Sequence, residues 1–289
     1  MELIRTPLEL TRLTQARREG GLAVGLVPTM GSLHEGHDAL IGRARGDRDL
    51  VVVTIFVNPL QFGDEHDFDT YPREEAADLA RCERLGVDVV WAPSVESMFP
   101  PGLDTAAPDP GPLGSRFEGA ARPGHFAGVL KVVRRLFDVT GPCAAYLGQK
   151  DAQQLILVRE MVKQLDYPVE VVGCPTVREA DGLACSSRNA LLTLEERAQA
   201  GCLFMGLSEA AARARAGEKD AHALVADIAR EVGAASLARL DYVAVVNDLT
   251  FEPVERLRPS EPTRAVLAAR FPRARLIDNL LLPDPSGGA

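Results

Sequence analysis

Residues 22–40, LAVGLVPTMGSLHEGHDAL, contain the pattern that decides the fold. An apolar run over residues 22–27 predicts a buried strand, and Pro28 is expected to end it. A Thr-Met-Gly turn follows, and His34 and His37 then lead into an apolar stretch with helical spacing. These residues therefore predict a strand, a turn and the start of a helix.

The two histidines of this stretch allow two interpretations. In an open α/β sheet they lie at the carboxyl end of a strand, where ligands bind. They also lie at a helix N-terminus, where free N–H groups and the helix dipole attract anions. Such a position suits a phosphate. A capped helix with two exposed histidines is the alternative, and a short motif alone does not separate the two.

The composition of the 289-residue chain is that of a globular protein, with 46% hydrophobic and 25% charged residues. Its length predicts one large or two ordinary domains. We find no apolar run of the ~18 residues that a membrane span needs and no secretory signal, so we expect a cytoplasmic protein without a membrane partner. A net charge of −9 argues against nucleic-acid binding, which requires a basic surface.

The cysteines and histidines form no pattern typical of a metal site or a disulfide framework. The five cysteines are odd in number and widely spaced, without a C-x-x-C pair, so we expect buried free thiols. His34 and His37 lack a third ligand at a recognisable spacing. The sequence therefore predicts no protein metal site.

Strand and helix patterns alternate over the first part of the chain. Predicted strands cover residues 22–27, 50–57, 87–91, 144–147 and 169–172. This alternation predicts an α/β fold with a Rossmann-like, doubly wound parallel sheet. Residues 99–124, rich in proline and glycine, are expected to form a long surface loop.

After Pro175 the pattern changes to blocks of elements. Long helices are predicted over residues 194–216 and 220–232, and strands near residues 241–246, 265–269 and 275–282. Such blocks predict a smaller α+β carboxyl-terminal domain. We place the domains at residues 1–176 and 177–289.

Polar clusters follow four of the predicted strands. The first contains His34 and His37. The second contains Asn58 and Gln61, whose amides suit a hydroxyl and a carboxylate, although a buried amide also simply satisfies backbone groups. Because parallel strands end at one edge of a sheet, we expect these clusters to share that edge.

The third cluster contains Gly148, Lys150 and Asp151, with Gln154 one helical turn later. Gly148 permits a close backbone approach, and Lys150 supplies a point charge for phosphate. Asp151 either caps a helix or helps to hold a nucleotide or metal.

The fourth cluster, Ser186, Ser187 and Arg188, is either an anion site or a plain helix cap. Four clusters at one sheet edge favour a polyphosphate pocket. The chain contains neither a P-loop nor a Gly-x-Gly-x-x-Gly motif after a strand, which excludes the two commonest nucleotide-binding patterns.

Six motifs together resemble the pantothenate synthetases (pantoate–β-alanine ligases). They are PTMGxLHEGH (28–37), FVNPxQF (56–62), YPR (71–73), RPGHF (122–126), KDxQQ (150–154) and RExDGLAxSSRN (178–189). The His34-x-x-His37 turn is similar to the HIGH motif of the wider nucleotidyltransferase superfamily, and residues 186–188 are similar to its KMSKS motif.

The resemblance implies ATP-dependent condensation of pantoate with β-alanine to pantothenate. The pantoate carboxylate attacks the α-phosphorus of ATP and releases pyrophosphate; the amine of β-alanine then displaces AMP from the pantoyl adenylate. Mg²⁺ is expected to bridge the phosphates with few protein ligands. The resemblance also implies a homodimer, a domain of residues 1–176 that binds the nucleotide and pantoate, and a lid formed by residues 177–289.

The resemblance also implies roles for individual residues. The catalytic set is His34, His37, Lys150, Ser186, Ser187 and Arg188. The nucleotide-binding set is Met30, Gly31, Ser32, Leu33, His34, Glu35, Gly36, His37, Gly148, Gln149, Lys150, Asp151, Val177, Cys185, Ser186, Ser187 and Arg188. The pantoate-binding set is Asn58, Gln61 and Gln154.

The chain departs from the family pattern at a few positions. Cys185 stands where a larger apolar residue is expected, which affects adenine packing, and Leu147 and Gln149 stand where Phe and Glu are commoner. Two other functions remain open at this point: a nucleotidyltransferase with another acceptor, and a non-catalytic nucleotide-binding module. The amides and the RPGHF segment argue against the first, and the intact Lys150 and histidines argue against the second.

Overall fold

The structure is a computed structural model that describes residues 1–63, 65–103 and 108–283, with the backbone alone for residues 65–67. The chain divides into two compact units. The first comprises Met1–Gln149 and Leu157–Pro175. The second comprises Lys150–Ile156 and the chain from Thr176 onward. The lid role of the carboxyl-terminal part stays a prediction.

The first unit is built on a six-stranded parallel sheet. Its strands are β1 (Glu2–Ile4), β2 (Val24–Thr29), β3 (Leu50–Ile55), β4 (Val89–Trp91), β5 (Cys143–Gly148) and β6 (Val169–Cys174). Their order across the sheet is β1-β4-β3-β2-β5-β6. β3 is buried along almost its whole length, as its β-branched residues predict for a sheet covered on both faces. The predicted Rossmann-like fold is confirmed.

Helices connect these strands. They are α1 (Pro7–Glu19), α2 (Glu35–Asp47), α3 (Glu65–Thr70), α4 (Glu75–Arg84), α5 (Val95–Met98), α6 (Glu118–Ala121), α7 (His125–Thr140) and α8 (Ala152–Gln164). The predicted loop at residues 99–124 is wrong in part, because it contains α6 and a 3-10 turn at Pro112–Ser115. Residues 104–107 of that prediction lie outside the described residues.

Two details of the sheet differ from the sequence prediction. Pro28 does not end β2 but lies inside it, opposite Thr54 of β3. A proline is tolerated there because the pairing of β2 with β5 covers Gly25 and Leu26 alone, so at Pro28 no donor is needed on that side. The three-residue edge strand β1 was missed because so short a segment carries no periodicity.

The sheet has its topological switch point between β2 and β5. From β2 the chain adds β3 and β4 on one side, and then returns to add β5 and β6 on the other. The ladder between β2 and β5 joins Gly25–Leu26 to Ala144–Ala145, whereas β2 continues to Thr29 and β5 to Gly148. The crevice beyond such a point is where open α/β sheets bind ligands.

The second unit contains a three-stranded antiparallel sheet, in the order β7-β8-β9. Its elements are α9 (Leu194–Ala200), α10 (Cys202–Arg215), α11 (Ala221–Ala234), β7 (Arg239–Asn247), β8 (Thr263–Arg270) and β9 (Arg275–Leu282). The single helix predicted over residues 194–216 is wrong, because Gly201 separates α9 from α10. A β-carbon at Gly201 would lie 3.3 Å from the Asp181 carboxylate, so the chain approaches closely at this break.

The five cysteines are free, as predicted, and all but the partly buried Cys143 are buried. Burial raises the pKa of Cys82 and Cys143 to about 12 and that of Cys202 to about 11. These three thiols are therefore protonated near neutral pH and are poor nucleophiles. Within the described ranges, no helix is both long and apolar enough to cross a membrane.

Candidate active site

His34 and His37 cap the amino end of α2 with their own side chains. His34 is the N-cap residue, and its Nδ1 accepts a hydrogen bond from the Gly36 N–H at 3.1 Å. The His34 N–H donates in turn to Nδ1 of His37 at 3.2 Å. An imidazole that accepts at Nδ1 carries its proton at Nε2 when it is neutral. The cap therefore fixes both rings as Nε2–H donors, with their centroids 4.1 Å apart.

The turn before these histidines is held by Asp78 of α4. Its two carboxylate oxygens accept the N–H groups of Ser32 at 2.9 Å and Leu33 at 2.8 Å. Asp78 is 3% exposed. Gly31 has a φ of 81°, and a β-carbon there would lie 2.8 Å from Oδ2 of Asp78. Only glycine therefore fits between the strand end and this carboxylate.

Arg81, one turn further along α4, holds the other side of the same segment. Its Nη1 donates to the Leu33 carbonyl at 3.0 Å, and its Nε and Nη2 donate to Asp38 at 2.6 and 2.8 Å. A longer contact of 3.4 Å reaches Glu35. The hydrogen bonds to Asp38 raise the pKa of the Arg81 guanidinium. α4 thus contacts both Asp38, in the first turn of α2, and the turn that precedes α2.

Asn58 and Gln61 lie in the 3-10 turn that follows β3. Asn58 is 1% exposed, and its Oδ1 accepts the Leu60 N–H at 3.2 Å while its Nδ2 donates to Oε1 of Gln61 at 3.1 Å. Gln61 directs its own Nε2 to the sulfur of Met30 at 2.9 Å. The predicted amide pair is therefore brought together, beside the residue that follows β2.

The RPGHF segment supports this amide turn from α7. Nδ1 of His125 lies 2.8 Å from the Gln61 carbonyl, and its Nε2 lies 3.2 Å from Nη1 of Arg122. A carbonyl only accepts and a guanidinium only donates, so His125 carries its proton at Nδ1. At Gly128, a β-carbon would lie 2.0 Å from the Leu60 carbonyl oxygen. The turn therefore rests directly on the α7 backbone.

Gly148 and Gln149 follow β5, the strand on the far side of the switch point. A β-carbon on Gly148 would meet no atom of the described chain within 4 Å. Gln149 directs its Nε2 to the Gly173 carbonyl at 3.5 Å. Glycine is thus not demanded by protein packing at position 148, and its small size leaves room beside the strand end.

In the second unit, Lys150 and Asp151 belong to the 3-10 turn Gln149–Asp151 that leads into α8. Lys150 is half-buried, and its carbonyl accepts a hydrogen bond from Nδ2 of Asn279 at 2.8 Å. Asp151 is exposed, and Gln154 is half-buried on the first turn of α8.

Residues 177–185 form a tight hairpin. The Val177 carbonyl accepts the Cys185 N–H at 2.9 Å, and an antiparallel bridge joins Arg178 to Ala184. Val177 and Cys185, both predicted to face the nucleotide, are therefore cross-strand neighbours. Their juxtaposition depends on a turn that spacing alone did not predict.

Ser186 follows this hairpin and caps the 3-10 turn Ser187–Leu191, where a helix was expected. Its Oγ accepts the Arg188 N–H at 3.3 Å, which confirms the helix-cap interpretation in a shorter form. A hydroxyl that accepts still has a hydrogen to donate. Capping and anion binding at Ser186 are therefore compatible.

The described residues contain no group of three or more His, Cys, Asp or Glu side chains arranged to hold a metal ion.

Asp78 and Arg81 were missed in the sequence, although one signal pointed to Asp78. It lies four residues before the buried Cys82, so the helical period places an ionisable side chain on the buried face of α4. A buried carboxylate needs partners, and here they are backbone N–H groups of a distant turn.

Three comparisons agree on the relationship of this chain to known proteins. The family described as Pantoate-beta-alanine ligase matches residues 2–281. A pantothenate synthetase from Rhizorhabdus wittichii is 48% identical over 99% of this chain and 100% of its own length. Another from Roseiflexus castenholzii is 50% identical over 90% and 92% of the two chains.

Solved structures extend the likeness to the fold. The crystal structure of pantothenate synthetase from Thermus thermophilus has a TM-score of 0.90 and 44% identity, and covers 98% of this chain and 99% of that one. The pantoate-β-alanine ligase from Francisella tularensis, complexed with β-γ ATP and β-alanine, has a TM-score of 0.79 and 32% identity over 99% and 100% of the two chains. The chain therefore belongs to the pantoate–β-alanine ligase family and is a ligase that forms an amide bond.

Proposed function

We propose that the protein condenses pantoate with β-alanine to give pantothenate, using ATP and passing through a pantoyl adenylate. The observation that carries this proposal is the pair of imidazoles capping α2 at the switch point, each fixed as an Nε2–H donor by a backbone N–H on Nδ1. Two donors at a helix N-terminus suit an anionic phosphate chain. In addition, the Francisella tularensis relative is complexed with ATP and β-alanine.

In the first step a pantoate carboxylate oxygen bonds to the α-phosphorus of ATP, and the bond from phosphorus to the bridging oxygen breaks. Pyrophosphate leaves with the negative charge. We assign its stabilisation to the Nε2–H groups of His34 and His37 and to the Lys150 ammonium, because donors already in place need no solvent reorganisation.

In the second step the β-alanine nitrogen bonds to the acyl carbon, and the bond from that carbon to the AMP oxygen breaks. The amine loses a proton to solvent as the amide forms. No protein nucleophile takes part, since both attacking groups belong to substrates.

We assign pantoate recognition to Gln61 and Gln154. We assign Asn58 to holding Gln61 in place, because Asn58 is 1% exposed and donates its two amide hydrogens to Gln61 and to the Gly128 carbonyl. The Asn58–Gln61 hydrogen bond and the RPGHF support make the turn after β3 rigid, and rigid amides suit the hydroxyl and carboxylate groups of a small acid. From the resemblance we assign nucleotide contacts to Met30, to residues 31–33, 35 and 36, and to Gly148, Gln149 and Asp151. The resemblance also assigns nucleotide contacts to Val177, Cys185, Ser186, Ser187 and Arg188.

We expect Mg²⁺ to enter bound to the ATP phosphates, where it would neutralise phosphate charge. Lys150, a point charge of the same sign, would share that task. A cytoplasmic location and a homodimer also stay predictions.

Product release under omission of each substrate tests the proposal. With ATP and pantoate alone, we expect pyrophosphate to form up to about one equivalent per enzyme, because the adenylate stays bound. Added β-alanine should then release AMP and start turnover. Pyrophosphate formed without pantoate, but with a nucleotidyl acceptor, would show a different transferase, and ATP binding without turnover would show a non-catalytic module.

Oxygen-18 in the pantoate carboxylate tests the intermediate itself. An adenylate transfers one labelled oxygen to AMP, whereas attack on a pantoyl phosphate would send the label to another product. Unlabelled AMP would overturn the proposed sequence of steps.

A further inference from the structure

β9 places two adjacent polar residues in the interior of the second unit. Asp278 and Asn279 are 2% and 4% exposed, which is costly unless each has partners. Adjacent strand residues point to opposite faces. Asp278 shares the face of Leu276 and Leu282, which belong to the apolar core of the unit, and Asn279 lies on the other face.

Asn279 ties the main chain at Lys150 to the sheet. Its Nδ2 donates to the Lys150 carbonyl at 2.8 Å, and its Oδ1 accepts from Nη1 of Arg264 at 2.5 Å. The carbonyl can only accept and the guanidinium can only donate. The two partners therefore hold the amide in a single orientation.

Asp278 holds the hairpin that leads to Ser186. Its carboxylate accepts both Nη atoms of Arg178, at 2.7 and 3.0 Å. Arg178 also donates to the carbonyls of Gly182 at 2.9 Å and Asn279 at 3.0 Å, and it lies over the Phe204 ring at 4.2 Å. A planar guanidinium that is bound through both terminal nitrogens and on one face fixes the hairpin in one position.

The two anchors are joined to each other, because the Asn279 N–H donates to Oδ1 of Asp278 at 2.7 Å. One dipeptide therefore sets the main chain at both Lys150 and the 177–185 hairpin. Burial raises the pKa of the Asp278 carboxyl, and Arg178 opposes that shift.

We propose that Asn279 is a positioning residue for the Lys150 ammonium, and that Asp278 fixes the neighbouring hairpin in the same register. The proposal rests on the role assigned to Lys150 in ATP binding. The strength of an ionic contact depends on the distance between the two charges. A main chain anchored at Lys150 fixes the base of its flexible side chain, and so the region that the ammonium can reach, before ATP arrives.

A double-mutant cycle with Asn279→Asp and Lys150→Ala tests the proposal through ATP affinity measured by calorimetry. Asn279→Asp keeps the shape and the acceptor for Arg264, but puts an acceptor opposite the Lys150 carbonyl. We expect Asn279→Asp to raise the ATP dissociation constant about tenfold in the parent protein. In the Lys150→Ala background it should change that constant by less than about twofold. Equal effects in both backgrounds, or no effect in either, would overturn the proposal.

Asn247→Asp is the matched control for the added charge. Its Oδ1 accepts the N–H groups of Leu249 and Thr250, and a carboxylate can do the same, so ATP affinity should not change. An equal loss of affinity in Asn247→Asp would attribute the effect to charge and overturn the proposal.

Asn279→Ser provides the same cycle if Asn279→Asp does not fold, since its shorter side chain cannot bridge Lys150 and Arg264. Failure of both variants to fold would make Asn279 a purely structural residue and would also overturn the proposal. Normal ATP binding by Lys150→Ala would overturn the assigned role of Lys150 together with this inference. Weakened ATP binding by Lys150→Ala together with normal ATP binding by Asn279→Asp would overturn this inference but not the role assigned to Lys150.

Discussion

The Asp78 carboxylate of α4 accepts the N–H of Ser32 at 2.9 Å, although 46 residues of chain separate the two. Its other oxygen takes the next N–H of the same turn, from Leu33. Because a buried carboxylate binds a turn of left-handed backbone, the segment before the histidines is part of the packed α4 layer and not a free loop. The position of His34 therefore depends on α4.

Asp78→Asn should lower both stability and activity. The amide can accept only one of the two N–H groups, and an unsatisfied buried donor costs about 1–3 kcal/mol. We expect a loss of that size in urea unfolding, and a fall of about tenfold or more in adenylate formation as the His34 turn shifts.

Asp88→Asn is the control for this change. Oδ2 of Asp88 accepts a partly buried backbone N–H, from Val51, together with Nη1 of Arg45, but Asp88 precedes β4 at the opposite edge of the sheet. The Asp88→Asn variant should lose its ion pair with Arg45 and retain its rate of adenylate formation. Equal rate losses in Asp78→Asn and Asp88→Asn would contradict the positioning role of Asp78.

His37→Glu separates the cap from the chemistry. Glutamate at the third helical position can accept the N-cap N–H, as in an ordinary capping box, but an ionised carboxylate has no hydrogen to donate. We expect adenylate formation to fall by roughly 10² with an unchanged unfolding midpoint. His37→Ala, which adds no charge, should lose a similar factor in rate and also about 0.5–2 kcal/mol of stability. A near-normal rate in His37→Ala would remove the imidazole from the mechanism.

Gln61→Ala should raise the KM for pantoate more than that for ATP, because its amide is assigned to the acid. Steady-state kinetics with each substrate varied in turn measures the difference. Gln15→Ala, which removes an exposed glutamine paired with Glu19 on α1, should change neither value. Parallel increases for both substrates would contradict the assignment of Gln61.

His125→Phe should resemble a weaker Gln61→Ala. It removes the Nδ1–H donor to the Gln61 carbonyl while keeping an aromatic ring beside Phe126. We expect the KM for pantoate to rise about threefold to tenfold, with little change for ATP. An effect on ATP alone would show that the RPGHF segment serves the nucleotide and not the acid.

Asp181→Asn should change how stability depends on pH. Hydrogen bonds from Arg197, at 2.5 and 3.0 Å, hold the pKa of the Asp181 carboxyl below its usual range. A lowered folded-state pKa stabilises the fold above the unfolded-state value, near 4, and that stabilisation is lost as the pH falls through the folded-state value. Both side chains are partly exposed, so we expect about 0.2–1 kcal/mol.

Urea unfolding of the parent and of Asp181→Asn at pH 7 and at about pH 3 checks the sign. The parent should be the more stable protein at pH 7, and the two should converge at low pH. A difference that persists at low pH would contradict an ionic origin.

The sequence predicted the sheet well where the residues themselves impose a period or a cap. The β-branched run of β3 and the histidines at the start of α2 both depend on neighbours in the chain. Boundaries such as Pro28 and Gly201 were misjudged because partners from elsewhere decide them. The local sequence does not show that β5 has no residue paired with Pro28. It also does not show that Asp181 approaches Gly201.

The sequence by itself determined which side chains we assign to phosphate binding, because His34, His37, Lys150 and residues 186–188 are polar residues that follow predicted strands. Only the tertiary structure decided how they are held. The Nε2–H form of the two histidines follows from backbone N–H groups that exist only once α2 has formed. The Asp78, Asp278 and Asn279 anchors satisfy buried polar groups far away in the chain, and such satisfaction is a property of packing that no spacing of residues records.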